Sequence, residues 1–82
     1  GASPPLMKGN DLERADLIRM ANQIAQFFEA YGEEEAVDGV ANHLRMFWAP
    51  RMRRDLLAAL KENTEGARPA VVSAAAKLSE GG

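Results

Sequence analysis

A proline in mid-chain, Pro50, separates two stretches of helical periodicity and forces the chain to turn a corner. Before it, Val37, Val40, Ala41, Leu44, Phe47 and Trp48 recur with helical spacing. Wound at about 100° per residue they fall within an arc of about 120°, the width of a core-facing stripe. Pro50 disfavours helical geometry at Ala49 and has no backbone N–H to donate, so that helix stops there. Proline is well tolerated at a first helical position, so a new helix starts at Pro50-Arg51. The stretch Val37 to Arg54 therefore predicts a helix, a sharp corner carrying Phe47 and Trp48, and a basic helix start. The remaining elements are expected to pack around that corner.

The 82 residues make room for one domain and one small core. A chain of this size buries only about 60–65% of its unfolded surface, which leaves a thin stability margin. There is no Cys, so disulfides and thiolate metal sites are excluded. Ten basic residues against twelve acidic ones give no global nucleic-acid signal. No apolar run approaches the roughly 18 residues of a membrane span, and no signal-peptide core precedes the first helix. The expectation is a soluble intracellular protein that leans on a partner.

Residues 1–9, with Ser3-Pro4-Pro5, carry no periodicity and read as a disordered leader. Gly1-Ala2-Ser3 is compatible with a cloning remnant, Met7 then being the native start. Asn10 or Asp11 is placed to cap a first helix over about 11–31, with Glu13 early in its first turn. Leu17, Met20, Ala21, Ile24, Phe27, Phe28 and Tyr31 form one stripe of about 120°, and Gly32 ends the helix. Glu33-Glu34-Glu35 opens a second helix over 33–48, three carboxylates at the positive dipole end. Matched stripes and a very short connection predict that these two helices form an antiparallel hairpin.

Gly39 sits inside the second helix at a cost of about 1 kcal/mol against Ala, and close packing by another element or a partner would account for it. A third helix runs over 50–62, with Met52, Leu56, Leu57, Ala59 and Leu60 on a broad apolar arc. Loop residues Asn63 to Gly66 follow. Pro69 starts a fourth helix through Leu78, whose stripe is Val71, Ala74, Ala75 and Leu78. The tail 80–82 is expected to fray. No segment alternates with period two. The fold class is all-α, a small bundle of three to four helices in a single domain over 10–79.

Little in the chain suggests catalysis. His43 is the only His and has no Cys to share a metal, so a packing or hydrogen-bonding role is favoured. The sequence lacks a Gly-rich phosphate loop and a nucleophile elbow, and Glu33–Glu35 reads as a solvated helix start. No catalytic, cofactor-binding or metal residue is assigned. The basic cluster is more informative: Arg45, Arg51, Arg53 and Arg54 lie close together with no acid between them. Nucleic-acid binding would use such a cluster with stacking aromatics. Phe47 and Trp48, however, fall on the core stripe, and the net charge is −2. Arg53 falls inside the apolar arc of the third helix, where it must snorkel, pair with a carboxylate or face a partner. Met46 and Ile18 miss their own stripes, with Ala25 beside Ile18. They point to a second apolar surface covered by the third or fourth helix or by a partner.

Met20-Ala-Asn-Gln-Ile-Ala-Gln-Phe-Phe28, Glu34-Glu-Ala-Val37 and Asn42-His-Leu-Arg-Met-Phe-Trp-Ala-Pro-Arg-Met-Arg53 together resemble the delta subunit of NAD-dependent, molybdenum-containing formate dehydrogenases. The resemblance covers about residues 17 to 60, and weakly the tail from Gly66 to Leu78. The run from His43 to Arg53 is its specific part. Two positions depart from the family's pattern. Ala49 stands where an Asp would cap the helix beginning at Pro50, which weakens that start by about 1 kcal/mol. Met46 stands where a charged residue is usual.

The resemblance implies a non-catalytic accessory subunit of a cytoplasmic complex, without cofactors of its own. Partner subunits would carry the molybdenum cofactor, iron–sulfur clusters and FMN, and the chain would support assembly or stability of the large molybdenum-bearing one. Arg45, Met46, Arg51, Arg53 and Arg54 are then the expected partner-binding residues, with no nucleic acid and no membrane involved. The alternative is a nucleic-acid-binding helical domain that uses the basic cluster from Arg45 to Arg54.

Overall fold

The computed structural model describes residues 9–81, which form four helices and, among these residues, no strand. They are α1 (Gly9–Glu29), α2 (Glu33–Phe47), α3 (Pro50–Glu62) and α4 (Pro69–Gly81). The all-α bundle expected from periodicity is thus the fold, and α1 and α2 pack as the antiparallel hairpin. The start of α1 and the end of α4 differ. Helix α1 already begins at Gly9, so Asn10 and Asp11 lie in its first turn and not at its cap. The rest of the expected leader, residues 1–8, lies outside the described residues. Helix α4 continues past Leu78, so Glu80 and Gly81 of the expected fraying tail carry helical backbone; Gly82 lies outside the described residues.

The hairpin turn is built on one glycine. Helix α1 closes with Tyr31 N–H donating to Phe28 O at 2.9 Å and Gly32 N–H to Glu29 O at 3.2 Å. Gly32 then takes φ +119°, a value L side chains rarely adopt, and its carbonyl accepts the first bond of α2 from Ala36 N–H at 2.9 Å. Gly32 is therefore both the end of one helix and the cap position of the next, which leaves no slack between them.

Each helix contributes small residues to the core. Leu17, Ala21 and Ala25 come from α1; Ala36, Val40, Ala41 and Leu44 from α2, with Trp48 just beyond it; Leu56, Ala59 and Leu60 from α3; Ala70, Val71, Ala74 and Ala75 from α4. The α3 and α4 stripes are the expected ones, with Met52, Leu57 and Leu78 packed against the buried set. Three residues of the predicted α1 and α2 stripes are not core: Phe27 and Tyr31 are each 63% exposed and Phe47 is 70% exposed. In their place Ala25 and Ala36 are fully buried, and Ile18 packs against the cluster. The core line on α1 is thus rotated toward the alanines. Ile18 and Ala25 belong to the surface that the rest of the bundle covers, and Met46 does not, at 71% exposure.

Polar ties fasten the second half of the chain to α1. Asn22 reads both sides of the connection before α4: its Nδ2 donates to Gly66 O at 2.8 Å, and its Oδ1 accepts from Arg68 N–H at 2.9 Å. Arg68 Nε lies 3.3 Å from Glu29 Oε2, close enough for an ion pair but not aligned as a hydrogen bond. Arg14 donates from Nη2 to Ala59 O at 3.1 Å near the end of α3. Gly66 takes φ +87° in the same connection, and Asn63 Oδ1 accepts from Glu65 N–H at 3.0 Å. Asn22 thus supplies the two bonds that this loop cannot make with itself.

Candidate functional site

The corner between α2 and α3 follows from the sequence as expected. Trp48 (φ −86°, ψ 142°) and Ala49 (φ −62°, ψ 146°) are both extended, the geometry a residue before proline prefers, and Pro50 opens α3. Ala49 makes no side-chain cap, so α3 starts on proline alone. What holds the corner is Arg53. Its Nη1 donates to Trp48 O at 3.0 Å and to Leu44 O and Arg45 O at 3.2 Å each. Leu44 and Arg45 lie in the last turn of α2; Leu44 O already accepts the closing bond from Trp48 N–H at 3.2 Å, and Arg53 adds its donation at an end where helical partners run out. A cation there also meets the negative end of the helix dipole. Neither snorkelling nor a carboxylate explains Arg53: it caps the preceding helix from inside the next one.

The other expected partner-binding residues surround this clasp. Arg45 is exposed, and its Nη1 donates to Asn42 Oδ1 at 3.3 Å. Met46 projects into solvent beside it. Arg51 and Arg54 are exposed on the first turns of α3. Arg51 lines a cleft toward α1 with Asp16, Met20 and Asp55; Arg54 lines a shallow apolar groove between α3 and α4 with Leu57, Lys61 and Val72. No ion pair among the described residues engages Arg45, Arg51, Arg53 or Arg54. Arg45, Met46, Arg51 and Arg54 are thus exposed residues flanking the corner, Arg51 on its α1 side and Arg54 on its α4 side, and the head of Arg53 is turned toward the backbone.

The two corner aromatics, expected together in the core, separate. Trp48 is 7% exposed, while Phe47 stands out with its ring 4.9 Å from that of half-buried His43. His43 is thus a packing residue for Phe47. Among the described residues no group of three or more His, Cys, Asp or Glu converges as a metal site would need. Among the described residues no helix is long and apolar enough to cross a membrane.

Sequence reading missed two residues here. Arg53 as a cap was detectable, since a cation five residues after a helix-ending Trp can reach back across an extended corner. Asn22 carried no comparable signal, because its partners lie 44 and 46 residues away.

The chain matches the family model of the NADH-dependent formate dehydrogenase delta subunit, FdsD, over residues 16–75. It belongs to that family. No curated protein and no solved structure matches it. The family match spans most of α1, all of α2 and α3, and α4 as far as Ala75, so it includes the corner, the Arg53 cap and the Asn22 tie. It takes in the likeness seen over about residues 17 to 60 and, as far as Ala75, the weaker one over the tail from Gly66.

Proposed function

We propose that this delta-family chain is a non-catalytic accessory subunit of a cytoplasmic, molybdenum-containing formate dehydrogenase. It supports assembly or stability of the large molybdenum-bearing subunit, and partner subunits carry the molybdenum cofactor, iron–sulfur clusters and FMN. The observation that carries this reading is the corner of a chain in the FdsD family. Arg45, Met46, Arg51 and Arg54 flank it, exposed and unengaged by any ion pair among the described residues. Like charges this close are best neutralised by an acidic surface, and arginine's planar fork pairs bidentately with carboxylates. Arg53 contributes from behind, by fixing the angle at which the corner is presented.

The test is co-expression with the large subunit. Replacing Arg51 and Arg54 by Glu is expected to weaken co-purification while a circular dichroism melt of the isolated chain stays unchanged. Unchanged co-purification would dispose of the corner as a docking site. Stoichiometric molybdenum, iron or flavin in the purified chain would contradict the accessory role. Salt-dependent binding of DNA or RNA would instead favour the nucleic-acid reading, for which the exposure of Phe47 beside the arginines is the one supporting observation.

A further inference from the structure

Among the described residues, Phe27, Tyr31, Met46 and Phe47 are the large apolar side chains left exposed, and they are connected rather than scattered. On α1, Phe27 and Tyr31 lie one turn apart with ring centroids 6.0 Å from each other, and Phe27 meets Phe28 edge-on at 5.0 Å. The Phe28 ring rests on Gly39 of α2: a Cβ built at Gly39 would come within 2.5 Å of it. One turn beyond Gly39 stands His43, whose ring meets Phe47. Because α1 and α2 run antiparallel, the Phe28–Gly39 contact sets their register. It places Ile24 at the level of His43 and Met20 at the level of Phe47. Ile24 and Met20 are half-buried.

An apolar band therefore follows the hairpin from Tyr31 beside the turn to Phe47 and Met46 at the corner, about 20 Å at 1.5 Å rise per residue. Helix α3 adjoins the band at its corner end, where Met20 lines a cleft with Arg51, Met52 and Asp55, and the loop before α4 attaches on the opposite side. Asn22 and Glu29, which hold Arg68 and its loop, lie on the side of α1 away from Phe27.

The band also has a charge direction. At the turn end Glu35 shares a row of α2 with Gly39 and Met46, while Glu33 and Glu34 line the cleft between α2 and α4. At the corner end lie Arg45, Arg51, in a cleft with Asp16 and Asp55, and Arg54, in the groove toward α4. No ion pair among the described residues engages any of these six.

We infer that this outer face of the α1–α2 hairpin is a docking surface continuous with the corner. Its occupant is an apolar surface of a larger subunit, acidic opposite the corner and basic opposite the hairpin turn. The inference rests on the accessory-subunit reading and deepens it. Exposed aromatic and Met side chains flanked by Arg are the composition of an interface centre. The charge order fixes the orientation, since reversed docking would set like charges against each other. Contacts at the turn end extend the footprint well beyond the corner, so binding depends on residues with no charge at all.

The test uses the full chain co-expressed with the large subunit, comparing F27S/Y31S with R51E/R54E, and light scattering of the isolated chain over a range of concentrations. The expected result is at least a tenfold fall in co-purified large subunit for F27S/Y31S, with an unchanged melt and a monomeric wild-type chain. Retention by F27S/Y31S with loss by R51E/R54E would overturn the inference and leave the corner reading standing; retention by both would sink both. A wild-type dimer that F27S/Y31S converts to monomer would assign the face to a second copy and overturn it as well. If F27S/Y31S lowers the melt, a photo-crosslinker at position 27 of the otherwise intact chain decides. A crosslink to the large subunit supports the inference, and its absence overturns it.

Discussion

The two faces of the α1–α2 hairpin are apolar in opposite ways. The inner face buries Leu17, Ala21, Ala25, Ala36, Val40, Ala41 and Leu44, none of them more than 7% exposed. The outer face carries Phe27, Tyr31, Met46 and Phe47, none of them less than 63% exposed. Hydrophobicity alone would sort these the other way, since rings offer the larger burial gain. Size explains the arrangement. Side chains at the contact set how closely helices approach, and alanines let four short helices share one small core. A face of rings between the same helices would hold them apart. The inner face then carries the fold, and the outer face leaves its apolar area free for another molecule.

That division can be broken at the core. Leu44 is fully buried, and Leu44→Ala is expected to cost ~2–5 kcal/mol, the range for a buried leucine truncated without collapse of its site. In a domain of this size the thermal midpoint would fall by about 10 °C or more. Trp48→Ala, at 7% exposure, belongs in the same class at ~3–5 kcal/mol. A shift below about 1 kcal/mol at either position, read in a denaturant titration, would mean that the fold does not rest on the inner face.

The corner clasp comes next. Arg53→Met keeps the stem and removes the three donations to Leu44, Arg45 and Trp48 carbonyls. Hydrogen bonds to a charged group are worth about 1.5–3 kcal/mol, and partial exposure sets the expectation at the low end, ~1.5 kcal/mol. Arg53→Lys should recover part of it, because the ammonium still brings a charge to the helix end but sits on a stem one bond shorter than the one that carries Nη1 to the three carbonyls. If both variants melt like the parent, the corner angle is held by Pro50 alone.

Gly39 is where the two faces trade against each other. Alanine there gains about 1 kcal/mol of helix propensity. Its methyl would also press into the Phe28 ring, and overpacking costs ~1–3 kcal/mol. Gly39→Ala should thus destabilise by ~1 kcal/mol, and adding Phe28→Leu should turn that cost toward a gain. A stabilised Gly39→Ala single variant would show that the Phe28 ring gives way freely and does not set the register of the outer band.

Much of this was legible before any coordinates. The Pro50 corner, the Gly32 turn, the third and fourth stripes and the number of helices follow from local rules of spacing and breaking, and these survive packing. The apolar arc of α1 was also correct in composition but too wide to be buried by one neighbour. Periodicity says which residues share a side, and gives no weight to which part of a broad arc the partner helices choose. Phe27 and Tyr31 were therefore read as core, while Ala25, on the shoulder, is the residue that is buried. Phe47 was misplaced for a different reason: helical geometry ends with it, and the extended Trp48, not Phe47, turns into the core. In the candidate site, the exposed arginines and Met46 could be read residue by residue. The Asn22 tie could not, since its backbone partners lie 44 and 46 residues away; the Arg53 cap, whose acceptors lie five, eight and nine residues back, was within reach of local rules and was missed.

Phe47 and Trp48 give the smallest expected effect and the most direct contrast, because they are neighbours in sequence and differ by nearly everything in environment. Phe47 is 70% exposed and its described ring contact is with His43 at 4.9 Å. An exposed side chain with one partial contact contributes little to folding, so Phe47→Ser is expected to change stability by no more than ~0.5 kcal/mol. The loss of one aromatic pair sets the upper bound, since such pairs are worth ~0.5–1.5 kcal/mol when well packed and less in water. Chemical denaturation of the two single variants and the parent under one set of conditions would show it: the midpoint should move strongly for Trp48→Ala and barely for Phe47→Ser, with equal slopes. A Phe47→Ser cost above about 1.5 kcal/mol would show that the ring is covered in solution within the isolated chain. The outer face would then be part of the core, and the contrast drawn between the two sides of the hairpin would fail at its corner end first.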